Sequence, residues 1–314
     1  MITLARDGMR GDLEYIWRAC FGDPSDYIKF FFDFRYNPNN CAVYVDDESG
    51  RAVSMVHMLP ASITEDAESV PIQYIYALAT RPDHQGRGIM TALLRFAEGY
   101  AARRRQRYMA LCPGSRELYR LYEKKGFHRC FSARRVHMTR KDLLFLSAGA
   151  DRDFRSRPMQ IADLAAVRRD VLIDREGSIS WDIEAIRYAA GVHTRGGGAV
   201  VAGAKENAAG YAFCQARGSD YKPKGGNDNK PENGHVEVSE FIAQPEYTKQ
   251  LISDILKTCP QNEFSFRLPM SDDFFAPFGD AESIGMIRAV GGKPPVNILT
   301  LTGAHLPYLG LPLD

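Results

Sequence analysis

The stretch that decides the fold lies at residues 79–90, between an apolar strand and an amphipathic helix. It reads Ala79-Thr80-Arg81-Pro82-Asp83-His84-Gln85-Gly86-Arg87-Gly88-Ile89-Met90. Gly86 and Gly88 lack a Cβ atom, so the backbone there turns tightly and lets a ligand approach closely. The first amides of the following helix have no partner within it and carry a partial positive charge. The arrangement indicates a site for an anionic phosphate, although a plain tight turn is the commoner explanation of two glycines.

The composition is that of an ordinary globular protein. Of the 314 residues, 45% are hydrophobic and 25% are charged, and the formal net charge is +1. This balance gives no case for nucleic acid or an anionic membrane as a partner. No apolar run is long enough to span a membrane and no signal-peptide core is present, so we expect a cytoplasmic protein. The length favours two domains, although one large domain also fits it.

The cysteines favour a reduced protein without a metal centre. They are widely scattered and form no CxxC pair: Cys20, Cys41, Cys112, Cys130, Cys214 and Cys259. We therefore expect free, mostly buried thiols and no zinc site. Cys112 lies near the predicted site, but no His–Asp or His–Asn partner is recognisable by spacing, which favours a structural thiol over a nucleophile.

The first half of the chain alternates helices and strands. The pattern predicts helices at 11–20 and 25–36, strands at 41–45, 52–59 and 73–80, a helix from Ile89, a strand at 108–112 and a helix at 115–125. Asp23 or Ser25 is the expected cap of the second helix. That helix is unusually aromatic, and we interpret the surplus rings as core packing with a contribution to an apolar groove: Tyr27, Phe30, Phe31, Phe32 and Phe34.

The second half repeats this order. The pattern predicts helices at 159–175 and 181–190, strands at 198–204, 210–216 and 235–243, a helix at 247–258 and a strand at 264–268, with a loop at 218–234. Residues 241–247 carry a proline and an acid where residues 78–84 do, but no glycine follows them. The halves are therefore predicted to be duplicates, of which only the first keeps a phosphate-binding loop.

The first half resembles the GNAT superfamily of acyl-CoA-dependent N-acyltransferases. Gln85-Gly86-Arg87-Gly88-Ile89-Met90 is similar to the family's central signature, and Leu121-Tyr122-Glu123-Lys124-Lys125-Gly126-Phe127 is similar to its closing one. Met90 replaces a usual small residue, as in the multi-domain Eis-like (enhanced intracellular survival) branch. The resemblance implies an α/β fold with a mixed sheet in two tandem GNAT-like domains: a catalytic one at 1–145 and a degenerate one at 152–314.

The resemblance also implies a site for acetyl-CoA. The amides of Gln85, Gly86, Arg87, Gly88, Ile89 and Met90 would hold the pyrophosphate, Leu78, Ala79 and Thr80 would pair with the pantetheine arm, and Ser115 would contact that arm. Tyr122 would be the general acid for the departing thiolate. The general base is less evident, because the central strand offers only Tyr74 and Tyr76. The terminal carboxylate of Asp314 is the candidate that the Eis-like branch suggests.

The predicted activity is transfer of an acetyl group to the primary amine of a small molecule or peptide. A coenzyme A-binding pseudoenzyme without turnover is the alternative, because no obvious base is present. A P-loop nucleotidase is remote, since the required Gly-Lys-Ser/Thr ending is absent.

Overall fold

The computed structural model describes residues 1–150, 159–172, 174–205, 208–217, 234–292, 294 and 296–311. The helices are α1 (Arg10–Phe21), α2 (Ser25–Phe34), α3 (Ile89–Arg103), α4 (Arg116–Glu123), α5 (Arg140–Leu146), α6 (Ile161–Leu172), α7 (Ile183–Arg195), α8 (Thr248–Thr258) and α9 (Val296–Leu299). None of these helices is both long and apolar enough to cross a membrane. The predicted loop at 218–234 lies outside the described residues except for its last glycine.

The strands of the first half are β1 (Ile2–Leu4), β2 (Cys41–Val45), β3 (Ala52–Glu65), β4 (Glu68–Thr80), β5 (Tyr108–Leu111) and β6 (His128–Thr139). Those of the second half are β7 (Ile179–Ser180), β8 (Ala199–Lys205), β9 (Ala208–Arg217), β10 (His235–Ala243), β11 (Glu263–Leu268) and β12 (Asp280–Ala289). The fold is therefore the mixed α/β class that the sequence predicts.

The chain forms two compact units, and each is assembled from three stretches. Unit 1 comprises Met1–Phe131, Ile179–Glu184 and Ile284–Thr300, and unit 2 comprises Ser132–Ser178, Ala185–Ser283 and Leu301–Asp314. The sequence predicts consecutive domains at 1–145 and 152–314. The units differ from that division because β12, far along the chain, pairs antiparallel with β5.

The core sheet of unit 1 holds β2, β3, β4 and β5 in sequence order. The β2–β3 and β3–β4 pairs are antiparallel, and β4 pairs parallel with β5 through the crossover helix α3. The buried face of α3 carries Ile89, Leu93, Leu94, Ala97 and Ala101 at helical spacing. Burial of this apolar stripe fixes the helix against the sheet.

Unit 2 repeats these pairings. The β8–β9 and β9–β10 pairs are antiparallel, and β10 pairs parallel with β11 through α8. The duplicated order predicted from the sequence is therefore confirmed. The two copies differ after the central strand: in unit 2 the short turn Pro245–Tyr247 leads directly into α8, whereas in unit 1 residues 85–88 separate the turn Pro82–His84 from α3.

The expected cap of α2 is wrong. Pro24 occupies the cap position, and no side chain caps the helix. Asp23 instead accepts a hydrogen bond from Nε1 of Trp17 at 2.7 Å. Trp17 is buried and its indole N–H needs an acceptor, so the Asp23 carboxylate bonds the indole and not the helix end. Most of the aromatic surplus of α2 is core: Phe30, Phe31 and Phe32 are buried, whereas Phe34 is exposed.

Candidate active site

The glycine loop of unit 1 has the backbone that its sequence predicts. Gly86 and Gly88 have φ of +74° and +76°, in the left-handed region that favours glycine. Gly88 occupies the cap position of α3, and no side chain caps that helix end. A Cβ atom added at either glycine would meet nothing within 4 Å, so the space above the loop is open. The first amides of α3 are thus available to an anion.

Polar contacts fix both the loop and the end of β4 that precedes it. Gln85 donates through Nε2 to the carbonyl of Thr80 at 3.0 Å, and Arg87 donates to the carbonyl of Asp83 at 3.2 Å. The hydroxyl of Ser54 donates to the carbonyl of Ala79 at 2.7 Å and lies 2.8 Å from Oγ1 of Thr80. These contacts hold the loop backbone in place, which reduces the cost of ordering it around a ligand.

The strand before the loop separates from its neighbour. The last residue of β4 that pairs with β5 is Tyr74, opposite Ala110, although β4 continues to Thr80. The other edge of β4 carries a bulge, because Val56 of β3 faces both Ala77 and Leu78. Ala77 has a φ of +46°, which is uncommon for a residue with a Cβ. Bulges re-aim backbone groups and are frequent beside active sites.

Tyr122 lies in α4 with its ring in the core. It is 7% exposed and packs edge-to-face on Phe127, with ring centroids 5.6 Å apart. Burial raises the pKa of Tyr122 to about 12, so the phenol keeps its proton at neutral pH. Phe127 donates its backbone N–H to the carbonyl of Tyr122 at 3.1 Å, and Gly126 between them has a φ of +81°. The Gly-Phe pair that closes the sequence signature therefore positions this ring.

One apolar cluster joins the parts of the predicted site. Ile89 and Tyr122 are buried members of it, and Leu78 and Met90 pack against it. Elements that are distant in the sequence, the end of β4, the start of α3 and α4, therefore share one core. Met90, the departure from the family signature, serves there as an apolar packing residue.

Ser115 and Asp314 have different outcomes. Ser115 is exposed at the cap position of α4, but its side chain makes no cap hydrogen bond. Its hydroxyl instead bonds the Glu117 carboxylate and lowers the pKa of that carboxyl. Asp314 lies outside the described residues, and so does the rest of the tail after Leu311.

The sequence offered no signal for two features of this region. The left-handed φ of Ala77 has no sequence signature, because alanine rarely adopts it. A contact between the hydroxyls of Tyr27 and Tyr76, 3.0 Å apart, joins α2 to β4. Tyr76 was recognisable as a strand residue, but its partner on another element was not.

Comparisons with known proteins identify the fold and the domain. A family model described as an acetyltransferase (GNAT) domain matches residues 6–130. No curated protein shows significant sequence similarity to the chain.

Solved structures resemble the chain along most of its length. A GCN5-related N-acetyltransferase from Anabaena variabilis matches with a TM-score of 0.69 and 14% identity, over 93% of this chain and 73% of that one. Eis1 from Mycobacterium abscessus matches with a TM-score of 0.66 and 14% identity, over 93% of this chain and 74% of that one. A GCN5-related N-acetyltransferase from Kribbella flavida matches with a TM-score of 0.64 and 16% identity, over 92% of this chain and 72% of that one. At these identities the likeness concerns the fold, and the activity rests on the matched domain. Residues 6–130 therefore form a GNAT acetyltransferase domain of an N-acetyltransferase, and the chain as a whole shares the fold of these solved structures.

Proposed function

We propose that the protein transfers an acetyl group from acetyl-CoA to a primary amine by direct attack, with Tyr122 as the general acid. The observation that carries the proposal is the open, left-handed glycine loop at the uncapped start of α3, which packs on the same apolar cluster as Tyr122. A phosphate site can hold coenzyme A, and a protonated phenol can donate a proton to the departing thiolate.

The residues of unit 1 fit coenzyme A. The amides of residues 85–90 would hold the pyrophosphate, because the uncapped α3 adds its partial positive charge to their N–H donors. The edge of β4 at residues 78–80, past its last pair with β5, would bond the pantetheine arm as an added strand does. Ser115, which is exposed, would contact the arm through its hydroxyl. Bound acetyl-CoA supplies an acyl thioester.

The residues then have separate tasks in the transfer. The amine nitrogen forms a bond to the acyl carbon while the carbon–sulfur bond breaks, and the nitrogen loses one proton. Tyr122 donates its hydroxyl proton to the departing sulfur and regains a proton from solvent. A backbone N–H at the bulge would donate to the acyl oxygen, a contribution of about 3 kcal/mol where such donors have been removed. Holding both reactants together supplies much of the remaining acceleration.

Replacement of Tyr122 by Phe tests the assignment. We expect Tyr122→Phe to lower kcat about 100-fold while the KM for acetyl-CoA changes little, since the ring remains and only the proton donor is lost. Tyr119→Phe is the matched control, because Tyr119 is a buried tyrosine of the same helix. Steady-state kinetics against a panel of amines measures both variants. Equal losses in the two variants, or none in Tyr122→Phe, would refute the role of Tyr122.

A second candidate is a coenzyme A-binding protein without turnover. It is favoured by the side chains of β4 beside the split, which are the phenols Tyr74 and Tyr76 rather than a carboxylate. Binding of coenzyme A by calorimetry without acetylation of any amine would support this candidate, and lack of coenzyme A binding would exclude both.

The role of the Asp314 carboxylate as general base stays a proposal, which deletion of Asp314 tests through kcat/KM across pH.

A further inference from the structure

Two phenol hydroxyls meet beside the place where β4 and β5 separate. Oη of Tyr76 lies 3.0 Å from Oη of Tyr27 on α2, which is within hydrogen-bond distance. Tyr76 directly precedes Ala77 at the bulge. Tyr74, the last residue of β4 paired with β5, stacks on Tyr76 with centroids 6.3 Å apart. Tyr76 thus lies on the strand whose residues 78–80 form the proposed pantetheine edge, and Tyr27 contacts it from α2.

Aromatic packing holds the Tyr76 ring in position. The rings of Trp17 and Phe31 lie 5.7 Å and 5.5 Å from it, centroid to centroid. Tyr76 and Tyr27 are both half-buried, so each keeps contact with the surface. Tyr76, held rigidly and partly exposed, can contact a substrate group. Tyr27, which is also partly exposed, can exchange a proton with solvent.

The titratable groups packed on Tyr76 come from three elements. Tyr27 faces it from α2, Tyr74 from its own strand and His57 from the opposite position on β3. His57 is buried among aromatic rings, and this burial lowers its pKa to about 3. The imidazole is therefore neutral and enclosed, and it does not accept the proton of the acceptor amine.

As an alternative to the Asp314 carboxylate, we infer that Tyr76 accepts the proton released by the acceptor amine and that Tyr27 passes a proton on to solvent. The inference rests on the proposed function. As the amine nitrogen bonds to the acyl carbon, its N–H proton moves to Oη of Tyr76, the hydroxyl proton of Tyr76 moves to Oη of Tyr27, and that of Tyr27 moves to water or a buffer base. Both phenols are neutral before and after the relay, so no phenolate has to form. Rotation of the two hydroxyls restores the starting state.

Phenylalanine variants test the relay, because they remove only the hydroxyls and keep the rings. We expect Tyr76→Phe and Tyr27→Phe each to lower kcat about 100-fold with little change in the KM for acetyl-CoA. The double variant should lose no more than either single one, since either change interrupts the same relay. Tyr36→Phe is the control, because Tyr36 packs on Phe32 in the same aromatic region and should retain the activity.

A solvent isotope effect separates a relay from a packing role. The ratio of kcat in H2O to kcat in D2O should change in Tyr76→Phe and stay as in the parent protein in Tyr36→Phe. Calorimetric binding of coenzyme A to Tyr76→Phe checks that the variant folds with its loop intact. Independent, multiplicative losses in the double variant, or full activity of Tyr76→Phe beside an inactive Tyr122→Phe, would overturn the relay alone. No acetylation by the parent protein with any amine would overturn the proposed function as well.

Discussion

His57 is an imidazole enclosed by aromatic side chains. The rings of Phe31 and Trp17 lie 4.8 Å and 5.9 Å from it, and those of Phe32 and Tyr36 lie 5.9 Å away. Its Nε2 atom is enclosed without a hydrogen-bond partner. Burial lowers the pKa of His57 to about 3, because a charged imidazolium is poorly solvated among apolar rings. The side chain thus acts as a neutral, flat packing group.

Acid should therefore destabilise the fold through His57. Its pKa is lower in the folded than in the unfolded protein, so its contribution is complete above the unfolded pKa near 6.5 and is lost as the pH falls toward 3. Between pH 7 and pH 5 this loss amounts to about 2 kcal/mol of the free energy of unfolding. His57→Phe should lose about 2 kcal/mol less than the parent protein over that interval, measured by denaturant unfolding at both pH values. Parallel losses in the two proteins would contradict the assignment.

At the residue scale, the sequence predicts the left-handed glycines of the loop, whereas the role of Tyr122 stays a prediction. The distance from Gln85 to Tyr122 and the following Gly-Phe pair indicated Tyr122 as a site residue, and its ring lies on the cluster that borders the loop. The positive φ of Ala77 had no signal, since the neighbouring strands impose it. Asp23 was expected to cap α2 because aspartate favours cap positions. In the structure its carboxylate instead accepts a hydrogen bond from the indole N–H of Trp17.

Among the elements, the loop at 85–88 distinguishes the two halves. The turn Pro82–His84 and the turn Pro245–Tyr247 follow the central strands alike, but only the first is followed by a left-handed glycine segment. Gly88 sits at the start of α3 with a φ of +76°, and Gly99 lies within the same helix. Gly88 is therefore in the left-handed region, whereas Gly99 has the ordinary backbone of a helix interior.

Alanine at these two positions should have opposite effects. Gly88→Ala places a Cβ in the left-handed region and should cost about 1 kcal/mol of stability, as well as weakening coenzyme A binding about tenfold by reorienting the loop amides. Gly99→Ala should stabilise the protein by up to about 1 kcal/mol, since an added Cβ comes no closer than 3.7 Å to Arg103. Thermal unfolding and calorimetry check both. Unchanged coenzyme A affinity in Gly88→Ala would contradict the phosphate site.

The extent of the strands was harder to predict than their existence. The pattern placed β2 and β10 at the observed bounds, but it ended β3 at Leu59 and began β4 at Gln73. Pro60 and Pro71 lie just outside these limits, and proline is uncommon inside a strand. In the structure both prolines lie within one long hairpin, which closes at Asp66 and Ala67 with φ of +53° and +60°. Such a turn usually contains glycine or asparagine, so the sequence did not announce it.

For the whole molecule, the sequence predicted the repeated strand order, but it did not predict that each compact unit combines three separate stretches of the chain. Repeated strand order is a local pattern that each half displays by itself. The pairing of β12 with β5 joins residues such as Met286 and Leu111, and neither strand's own pattern specifies its partner. Long-range pairing therefore decides which stretches make up each compact unit.

Unit 2 holds the end of the described chain through a buried carboxylate. Glu240 is fully buried and accepts hydrogen bonds from Arg168, from the hydroxyl of Tyr211 at 3.0 Å and from the backbone N–H of Leu311 at 3.1 Å. Gly310 passes close beside these groups, and a Cβ there would lie 2.8 Å from the ring of Tyr308. The final turn is thus tied to the centre of β10 by a charge that has no access to water.

Loss of this carboxylate should destabilise the protein more than loss of a partly exposed one on the same strand. Glu240→Gln leaves the guanidinium of Arg168 buried without its counter-charge and should lower the free energy of unfolding by about 3 kcal/mol. Glu237→Gln is the matched control, because Glu237 pairs with Arg217, which is 41% exposed, and should cost at most about 1 kcal/mol. Denaturant unfolding measures both, and hydrogen exchange at the Leu311 amide should become faster only in Glu240→Gln. Equal destabilisation by the two substitutions, or unchanged exchange at Leu311, would show that the buried carboxylate does not hold the tail.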